Sequence, residues 1–153
     1  MHLYLLRHGQ AEPQRQPDAE RRLTEIGKQE VRRVAHQFAA KNIHLAASYY
    51  SPYVRTTETC ELFMQEAAQM IKPEPQPVLV PQSRASDVLR WLRDVKADHV
   101  LLVTHNPLVS EILAVLSGQE PENMHIFATS ELNALECEGV SIGGGTLQFR
   151  LYP

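Results

Sequence analysis

Short apolar segments recur along the chain and predict six β-strands. Residues 100–103 are the clearest of them, because consecutive apolar side chains suit a strand that is covered on both faces. Residues 146–152 instead alternate apolar and polar side chains, as a half-buried strand does. The predicted strands comprise residues 2–6, 44–50, 78–80, 100–103, 132–138 and 146–152.

Apolar side chains spaced three and four residues apart predict four α-helices between these strands. The first follows Thr24, a residue type that caps helix N-termini. The second begins near Pro52, the third near Ser86, and the fourth at Asn106-Pro107, an N-cap followed by proline at the first helical position. The side chains expected on the buried faces are Val31, Val34, Ala35 and Phe38; Cys60, Phe63, Met64, Ala67 and Ile71; Val88, Leu92 and Val95; and Leu108, Ile112, Leu113 and Leu116.

The alternation of strands and helices predicts the α/β class, as a three-layer α/β/α sandwich with a mostly parallel sheet. Residues 132–138 and 146–152, joined by a glycine-rich connection, predict a C-terminal β-hairpin. The polar, proline-containing segments 10–22 and 72–77 are expected to form a loop and a turn. A chain of 153 residues without an internal repeat is expected to form one domain over residues 1–153.

Composition excludes several classes of protein. A net charge of −3 argues against a general nucleic-acid binder, and no apolar run reaches the roughly 20 residues of a membrane span. Cys60 and Cys137 lie far apart without metal-ligand spacing, so we expect neither a disulfide framework nor a structural zinc site. The apolar run at the N-terminus ends at Arg7, too early for a signal peptide. We therefore expect a cytoplasmic protein that binds neither nucleic acid nor membranes.

Three polar segments directly follow predicted strands. Arg7-His8-Gly9 follows the first strand, Ser51 to Arg55 follows the second, and Thr104 to Pro107 follows the strand at residues 100–103. Ligands of open α/β sheets bind outside the carboxyl ends of the strands. Each segment alone could be a strand end or a helix start with solvated side chains. Together they predict one crevice that contains two arginines and two histidines.

The residue types in this crevice favour phosphoryl transfer. Guanidinium groups are permanently charged and match phosphate oxygens, and an imidazole can act as a nucleophile. The set contains too few carboxylates for a magnesium site, and the arginine charges would oppose a zinc ion. We therefore expect no metal and no cofactor. Transfer through a covalent phosphohistidine fits the set best.

Four segments resemble the signatures of the histidine phosphatase superfamily, also called the phosphoglycerate mutase-like family. They are Leu6-Arg7-His8-Gly9, Arg22-Leu23-Thr24-x-x-Gly27, Ser51-Pro52-x-x-Arg55-x-x-x-Thr59 and Val103-Thr104-His105-Asn106-Pro107. They keep the order of the family and span almost the whole chain. The resemblance implies a phosphoglycerate mutase-like fold and a metal-independent phosphatase.

The resemblance also implies a role for each residue. His8 would be the nucleophile, and Arg7, Arg55 and His105 would bind the phosphoryl oxygens. Asn106 is a further candidate for substrate binding. For His8 to attack, its ring must be neutral and fixed by a hydrogen bond on the other nitrogen, for which we expect a backbone carbonyl near Gly9. Nearby positive charges favour the neutral ring.

One departure from the family restricts the class of substrate that we expect. Larger members carry a glutamate general acid in an insertion, which this short chain lacks. The corresponding stretch offers only Asp87, for which a first-turn helix charge is the simpler interpretation, and Glu12 in the first loop is a further candidate that a solvated residue explains as well or better. A weak complement of acids suits a leaving group such as the imidazole of phosphohistidine.

Small size and the Arg-His-Gly and His-Asn-Pro segments resemble the phosphohistidine phosphatase SixA branch. This resemblance implies a phosphatase whose partner is a phosphohistidine-bearing signalling protein, either a phosphotransfer domain or a phosphotransferase-system protein. We expect the phosphatase to be a monomer. One alternative is a small phosphomonoesterase of the same superfamily that acts on a metabolite and requires Asp87 or Glu12 as its acid. A second alternative is a phosphate-binding module without turnover.

Overall fold

The apolar run near residue 100 lies in the middle of a six-stranded sheet. The computed structural model describes residues 1–153. The strands lie in the order β3-β2-β4-β1-β5-β6. The four strands from β3 to β1 are parallel, β5 pairs antiparallel with β1, and β6 pairs antiparallel with β5. Their bounds are β1 His2–Arg7, β2 Ala47–Tyr50, β3 Glu74–Pro75, β4 His99–Thr104, β5 Leu132–Cys137 and β6 Gly145–Leu151. The predicted α/β fold with a mostly parallel sheet and a C-terminal hairpin is confirmed.

Two helices cover each face of this sheet. One hydrophobic core joins α1 and α2 to Tyr4 and Leu6 of β1, and a second core joins α3 and α4 to Leu3 and Leu5. Successive side chains of a strand point to opposite faces, so β1 and β4 contribute to both cores. The predicted three layers are therefore present. The bounds of the helices are α1 Glu25–Ala39, α2 Val54–Glu66, α3 Ala85–Leu92 and α4 Leu108–Ser117.

The beginning of α1 follows its sequence signal. The Thr24 hydroxyl accepts a hydrogen bond from the Gly27 N–H at 3.0 Å, which satisfies one of the free donors at the helix start. The predicted inward side chains of α1 are fully buried: Val31, Val34, Ala35 and Phe38. Between α1 and β1, the loop at residues 10–22 contains a short 3₁₀ turn at Asp18–Glu20.

The predicted strand at residues 78–80 is wrong. Pro77–Leu79 form a 3₁₀ turn, and the edge strand is β3, which lies just before them. Pro77 lacks the N–H that a strand ladder needs, whereas its fixed φ suits the first position of a helical turn. Leu79 is fully buried, so its apolar character reflects packing in the core and not strand formation.

The second helix ends earlier than its apolar pattern predicts. Ala68 adopts a φ of 51°, and the next N–H, that of Gln69, bonds back to the Met64 carbonyl at 2.9 Å. This is a Schellman termination, which glycine usually marks and alanine occupies here. Ala67 is therefore the C-cap of α2, and Ile71 packs at the margin of the core outside the helix.

Other boundaries differ by a few residues. Strand β2 begins at Ala47 and not at residue 44, and Val95 follows the end of α3. Helix α4 has no side-chain cap, so the predicted N-cap role of Asn106 is wrong. The register of β5 on β6 shifts between Ala134 and Leu135. No helix combines the length and the apolarity that crossing a membrane requires.

A close backbone contact fixes the turn after β1. A Cβ atom added to Gly27 would lie 2.2 Å from the Gln10 carbonyl oxygen, and one added to Gly9 would lie 2.9 Å from the Gly27 carbonyl oxygen. Neither distance is tolerated by real side chains. The first turn of α1 therefore packs backbone against backbone on residues 9–10. This contact is possible because Gly9 and Gly27 carry no side chain.

The substitution Gly27→Ala is expected to destabilise the protein. Alanine would gain about 1 kcal/mol of helix propensity, but the clash with Gln10 should outweigh this gain and leave a net loss of about 1–3 kcal/mol. Urea unfolding of both proteins measures the difference. Gly139→Ala is the matched control, since its added Cβ would meet only the Ser141 hydroxyl at 3.9 Å. Equal stability of Gly27→Ala and the natural protein would contradict the proposed contact.

Candidate active site

Three strand ends bring the polar segments together. Strands β2, β4 and β1 are adjacent and parallel, so their carboxyl ends lie at one edge of the sheet. The His8 N–H donates to the Thr104 carbonyl at 3.0 Å, and the Ser51 N–H donates to the Val103 carbonyl at 3.0 Å. The crevice predicted from the sequence is therefore formed by direct backbone contacts between the three segments.

The His8 ring is held in one tautomer. Its Nδ1 lies 2.7 Å from the Gly9 carbonyl oxygen, which can only accept a hydrogen bond, so Nδ1 carries the proton. The Nε2 lone pair then accepts from the Arg55 Nε–H at 3.2 Å. Burial, assisted by the charges of Arg55, Arg7 and Arg21, lowers the pKa of His8 from 6.5 to about 3. His8 is thus neutral at physiological pH, with an unprotonated Nε2 that faces Arg55.

His105 lies beside His8 and is fully buried. The centroids of the two rings are 5.2 Å apart in an edge-to-face arrangement. The Nε2 of His105 is hydrogen-bonded to the Ser51 hydroxyl at 2.7 Å, whereas its Nδ1 has no partner. Burial, together with His8 and the two arginines, lowers the pKa of His105 to about 2. The unpartnered Nδ1 is a buried polar atom that a ligand could satisfy.

Arg55 is held by the loop that precedes α1. Its Nη1 donates to the Asp18 carbonyl at 2.6 Å and its Nη2 contacts the Asp18 carboxylate at 3.1 Å. Asp18 also pairs with Arg21 at 2.9 Å. Although burial acts in the opposite direction, hydrogen bonds from Arg21 and Arg55 keep the pKa of Asp18 below its ordinary value. Asp18 is therefore an ionised partner that orients Arg55.

Arg7 is held by a main-chain carbonyl. Its Nη1 donates to the Phe127 carbonyl oxygen at 2.6 Å, whereas its buried Nε has no partner. Burial lowers the pKa of Arg7, and the negative charges of Glu131 and Glu30 oppose that shift. The same Phe127 oxygen accepts from the Asn106 side chain at 2.9 Å. Asn106 therefore lies next to the crevice, with its amide already bound to the protein.

Thr59 joins the turn that follows β1, which contains His8 and Gly9, to α2. Its hydroxyl accepts from the Gly9 N–H at 3.1 Å and donates to the Arg55 carbonyl at 2.6 Å. A single buried side chain thus links the peptide next to His8 with the backbone of Arg55. This contact fixes the distance between the two functional segments.

The two candidate acids lie in different surroundings. Asp87 pairs with Arg90 at 3.0 Å on the outer side of α3, and both side chains are well exposed. Glu12 lines a surface cavity of about 300 Å³ together with Pro13, Arg15 and Gln16. Neither carboxylate forms a hydrogen bond with Arg7, His8, Arg55 or His105. The assignment of a proton donor stays a prediction.

The donors in the crevice are imidazoles and guanidinium groups. No cluster of three or more His, Cys, Asp or Glu side chains with metal-binding geometry occurs in the protein. Two neutral imidazoles and two cations form a site complementary to an oxyanion, with donors that can surround tetrahedral oxygens.

Sequence reasoning missed three residues of this arrangement. Ser51 belongs to the Ser-Pro-x-x-Arg segment, and its position next to a strand end is the signal that could have assigned it to His105. Asp18 and Glu131 lie in irregular segments without periodicity, so no pattern marks them.

The profile of the histidine phosphatase superfamily (branch 1) matches residues 3–80, a range that includes Arg7, His8 and Arg55 but not His105. The chain belongs to this superfamily. It is accordingly a phosphatase, as the sequence motifs predict.

Individual relatives are phosphohistidine phosphatases. The chain is 26% identical to the phosphohistidine phosphatase SixA of Escherichia coli, over 100% of this chain and 94% of that protein. It is 31% identical to a SixA homolog of Haemophilus influenzae, over 78% and 79% of the two chains. A solved structure of the protein histidine phosphatase SixA complexed with tungstate superposes with a TM-score of 0.90, at 26% identity, covering 100% and 97% of the two chains. These similarities support membership of the phosphohistidine phosphatase branch.

The two buried imidazoles predict an acid-sensitive stability. Both have a lower pKa in the folded protein than the ordinary 6.5, so below pH 6.5 only the unfolded chain takes up protons at these positions. The free energy of unfolding should therefore fall as the pH decreases from 6.5 toward 3, by about 1.4 kcal/mol per pH unit for each imidazole. Urea unfolding between pH 7 and 5 should show a shallower slope for His105→Asn. Equal slopes would refute the neutral state of His105.

Proposed function

We propose that this phosphatase removes the phosphoryl group from a phosphorylated histidine of a signalling protein, through a transient phosphohistidine on His8. The observation that carries the proposal is the state of His8. Its ring is buried and neutral, its Nδ1 proton is bound to the Gly9 carbonyl, and its Nε2 lone pair faces Arg55. A nucleophilic imidazole needs this tautomer and charge state.

In the first step, Nε2 of His8 attacks phosphorus and the bond between phosphorus and the substrate imidazole breaks. Arg7 and Arg55 bind the phosphoryl oxygens, and the unpartnered Nδ1 of His105 is available to a third contact. The positive charge that develops on the His8 ring is stabilised by the Nδ1–H bond to the Gly9 carbonyl. The substrate histidine, protonated on its other nitrogen, leaves as a neutral imidazole.

In the second step, a water molecule attacks the phosphorylated His8. The nitrogen–phosphorus bond breaks, inorganic phosphate forms with the oxygen and protons of the water, and His8 returns to its neutral Nδ1–H tautomer. Neither step requires a proton donor for the leaving group, because the leaving group of each step is an imidazole.

The charges around the site favour this substrate over a phosphate ester. An alkoxide leaving group needs a proton, and the carboxylate that contacts Arg55, that of Asp18, is held ionised by Arg55 and Arg21. A phosphohistidine makes no such demand, because its imidazole leaves as a neutral ring.

The decisive experiment measures phosphate release from a phosphohistidine-bearing phosphotransfer protein, in parallel with small phosphomonoesters. The natural enzyme should act rapidly on the protein substrate, and His8→Ala should abolish this activity and the acid-labile, base-stable phosphoenzyme. Unchanged release by His8→Ala would refute the mechanism.

Two other outcomes of this experiment would indicate a different function. Rapid hydrolysis of small esters, with a large rate loss in Asp87→Asn, would indicate a metabolic phosphomonoesterase with Asp87 as its acid. Binding of phosphorylated substrates without any turnover would indicate a phosphate-binding module.

Arg7→Ala and Arg55→Ala should each reduce kcat/KM severely. Loss of a preorganised donor to the transition state costs about 3 kcal/mol, or roughly a hundredfold in rate. The corresponding lysine variants should recover only part of the loss, because lysine retains the charge but not the planar fork. Steady-state kinetics on the phosphohistidine substrate measure both effects. Full activity in either lysine variant would exclude a bidentate role for that arginine.

A further inference from the structure

A buried carboxylate lies outside the reacting cluster. Glu131, which immediately precedes β5, is 1% exposed. Its carboxylate accepts hydrogen bonds from His125 Nε2 at 2.6 Å, from the Ala128 N–H at 2.8 Å and from the Asn133 side chain at 2.8 Å. Burying a carboxylate is costly unless hydrogen bonds compensate it, and here three donors do so. The mechanism described above uses none of these groups.

These bonds shape the segment that holds Arg7. Two of these partners, His125 and Ala128, lie on either side of Phe127 in the chain, and the Phe127 carbonyl oxygen accepts from Arg7 Nη1 at 2.6 Å. The Glu131 carbonyl also accepts from the Arg7 N–H at 3.1 Å, so the residue contacts both the backbone of Arg7 and the turn that binds its guanidinium group. The negative charge of Glu131 further opposes the effect of burial on the pKa of Arg7.

We propose that Glu131 is a positioning residue for Arg7. The Glu131 carboxylate closes the turn at residues 125–131, so that the Phe127 carbonyl orients the Arg7 guanidinium group toward the phosphoryl oxygens. The proposal rests on the proposed function only in assigning a phosphoryl-binding role to Arg7.

The site requires an acceptor-only side chain at position 131. The Ala128 N–H and the Asn133 amide can only donate toward it, since the Asn133 oxygen already accepts from Arg150 at 2.7 Å. Glutamine has the shape of glutamate, but its NH₂ group would face one of these donors in either orientation. Glu131→Gln therefore opens the turn with little change in volume.

Tungstate binding to the intact protein tests the proposal in a double-mutant cycle. The cycle compares the natural protein, Glu131→Gln, Arg7→Ala and the variant that carries both substitutions. Glu131→Gln should raise the dissociation constant of tungstate about tenfold when Arg7 is present and less than about twofold when it is absent. The same weakening in both backgrounds, or none in the presence of Arg7, would overturn the proposal. Failure of the natural protein to bind tungstate would also overturn it.

Two further variants separate positioning from stability. Tyr4→Phe removes a hydrogen bond to His99, at the end of the sheet far from the crevice, and should lower the melting temperature without changing tungstate affinity. His125→Ala removes a partly exposed donor to Glu131 and should reproduce a smaller, Arg7-dependent weakening even if Glu131→Gln does not fold. An Arg7-independent effect of His125→Ala would contradict the proposal.

The test is independent of turnover. If the protein binds tungstate with the expected coupling but does not hydrolyse phosphohistidine, the role of Glu131 stands and the proposed function fails. If it hydrolyses phosphohistidine without coupling between Glu131 and Arg7, the proposed function stands and the role of Glu131 fails.

Discussion

The central physical constraint is the placement of a buried arginine, Arg55, and a partly buried one, Arg7, beside two imidazoles that must stay uncharged. A carboxylate against every donor of the two arginines would stabilise the cations but would also cancel the field that attracts a phosphoryl group. Arg55 contacts one carboxylate, that of Asp18, and both arginines also donate to main-chain carbonyls, those of Asp18 and Phe127. A carbonyl accepts a hydrogen bond without contributing a full negative charge. The crevice thus remains electropositive, which adds to the effect of burial in keeping His8 neutral and favours a phosphate dianion.

This solution makes the irregular segments as important as the strands. Residues 10–22 contribute the acceptors of Arg55, and the turn before β5 contributes the acceptor of Arg7. The strands set where the functional side chains emerge, and these two segments set how the side chains are oriented. Their orientation depends in turn on two polar contacts that do not reach the ligand. Arg21 binds Asp18, and Glu131 binds the Ala128 N–H.

The sequence predicts the sheet, its layers and the meeting of Arg7, His8, Arg55 and His105, because apolar periodicity and strand-end position are local signals. It does not predict the acceptors, since a main-chain carbonyl has no residue signature and Asp18 and Glu131 lie in segments without periodicity. The error at residues 78–80 has a related cause: a buried Leu79 in a 3₁₀ turn has the same apolar pattern as a short strand. The early end of α2 was missed because alanine replaces the expected glycine at Ala68.

The edges of the sheet have a consequence for self-association. Strand β3 at one edge is only two residues long and contains Pro75, which lacks an N–H to offer. At the other edge, β6 carries the polar side chains Gln148 and Arg150, and its register on β5 is irregular. Short, proline-containing and irregular edge strands are poor templates for the addition of another strand. The addition of another strand is therefore disfavoured at the β3 edge by its short length and Pro75, and at the β6 edge by its polar side chains and irregular register.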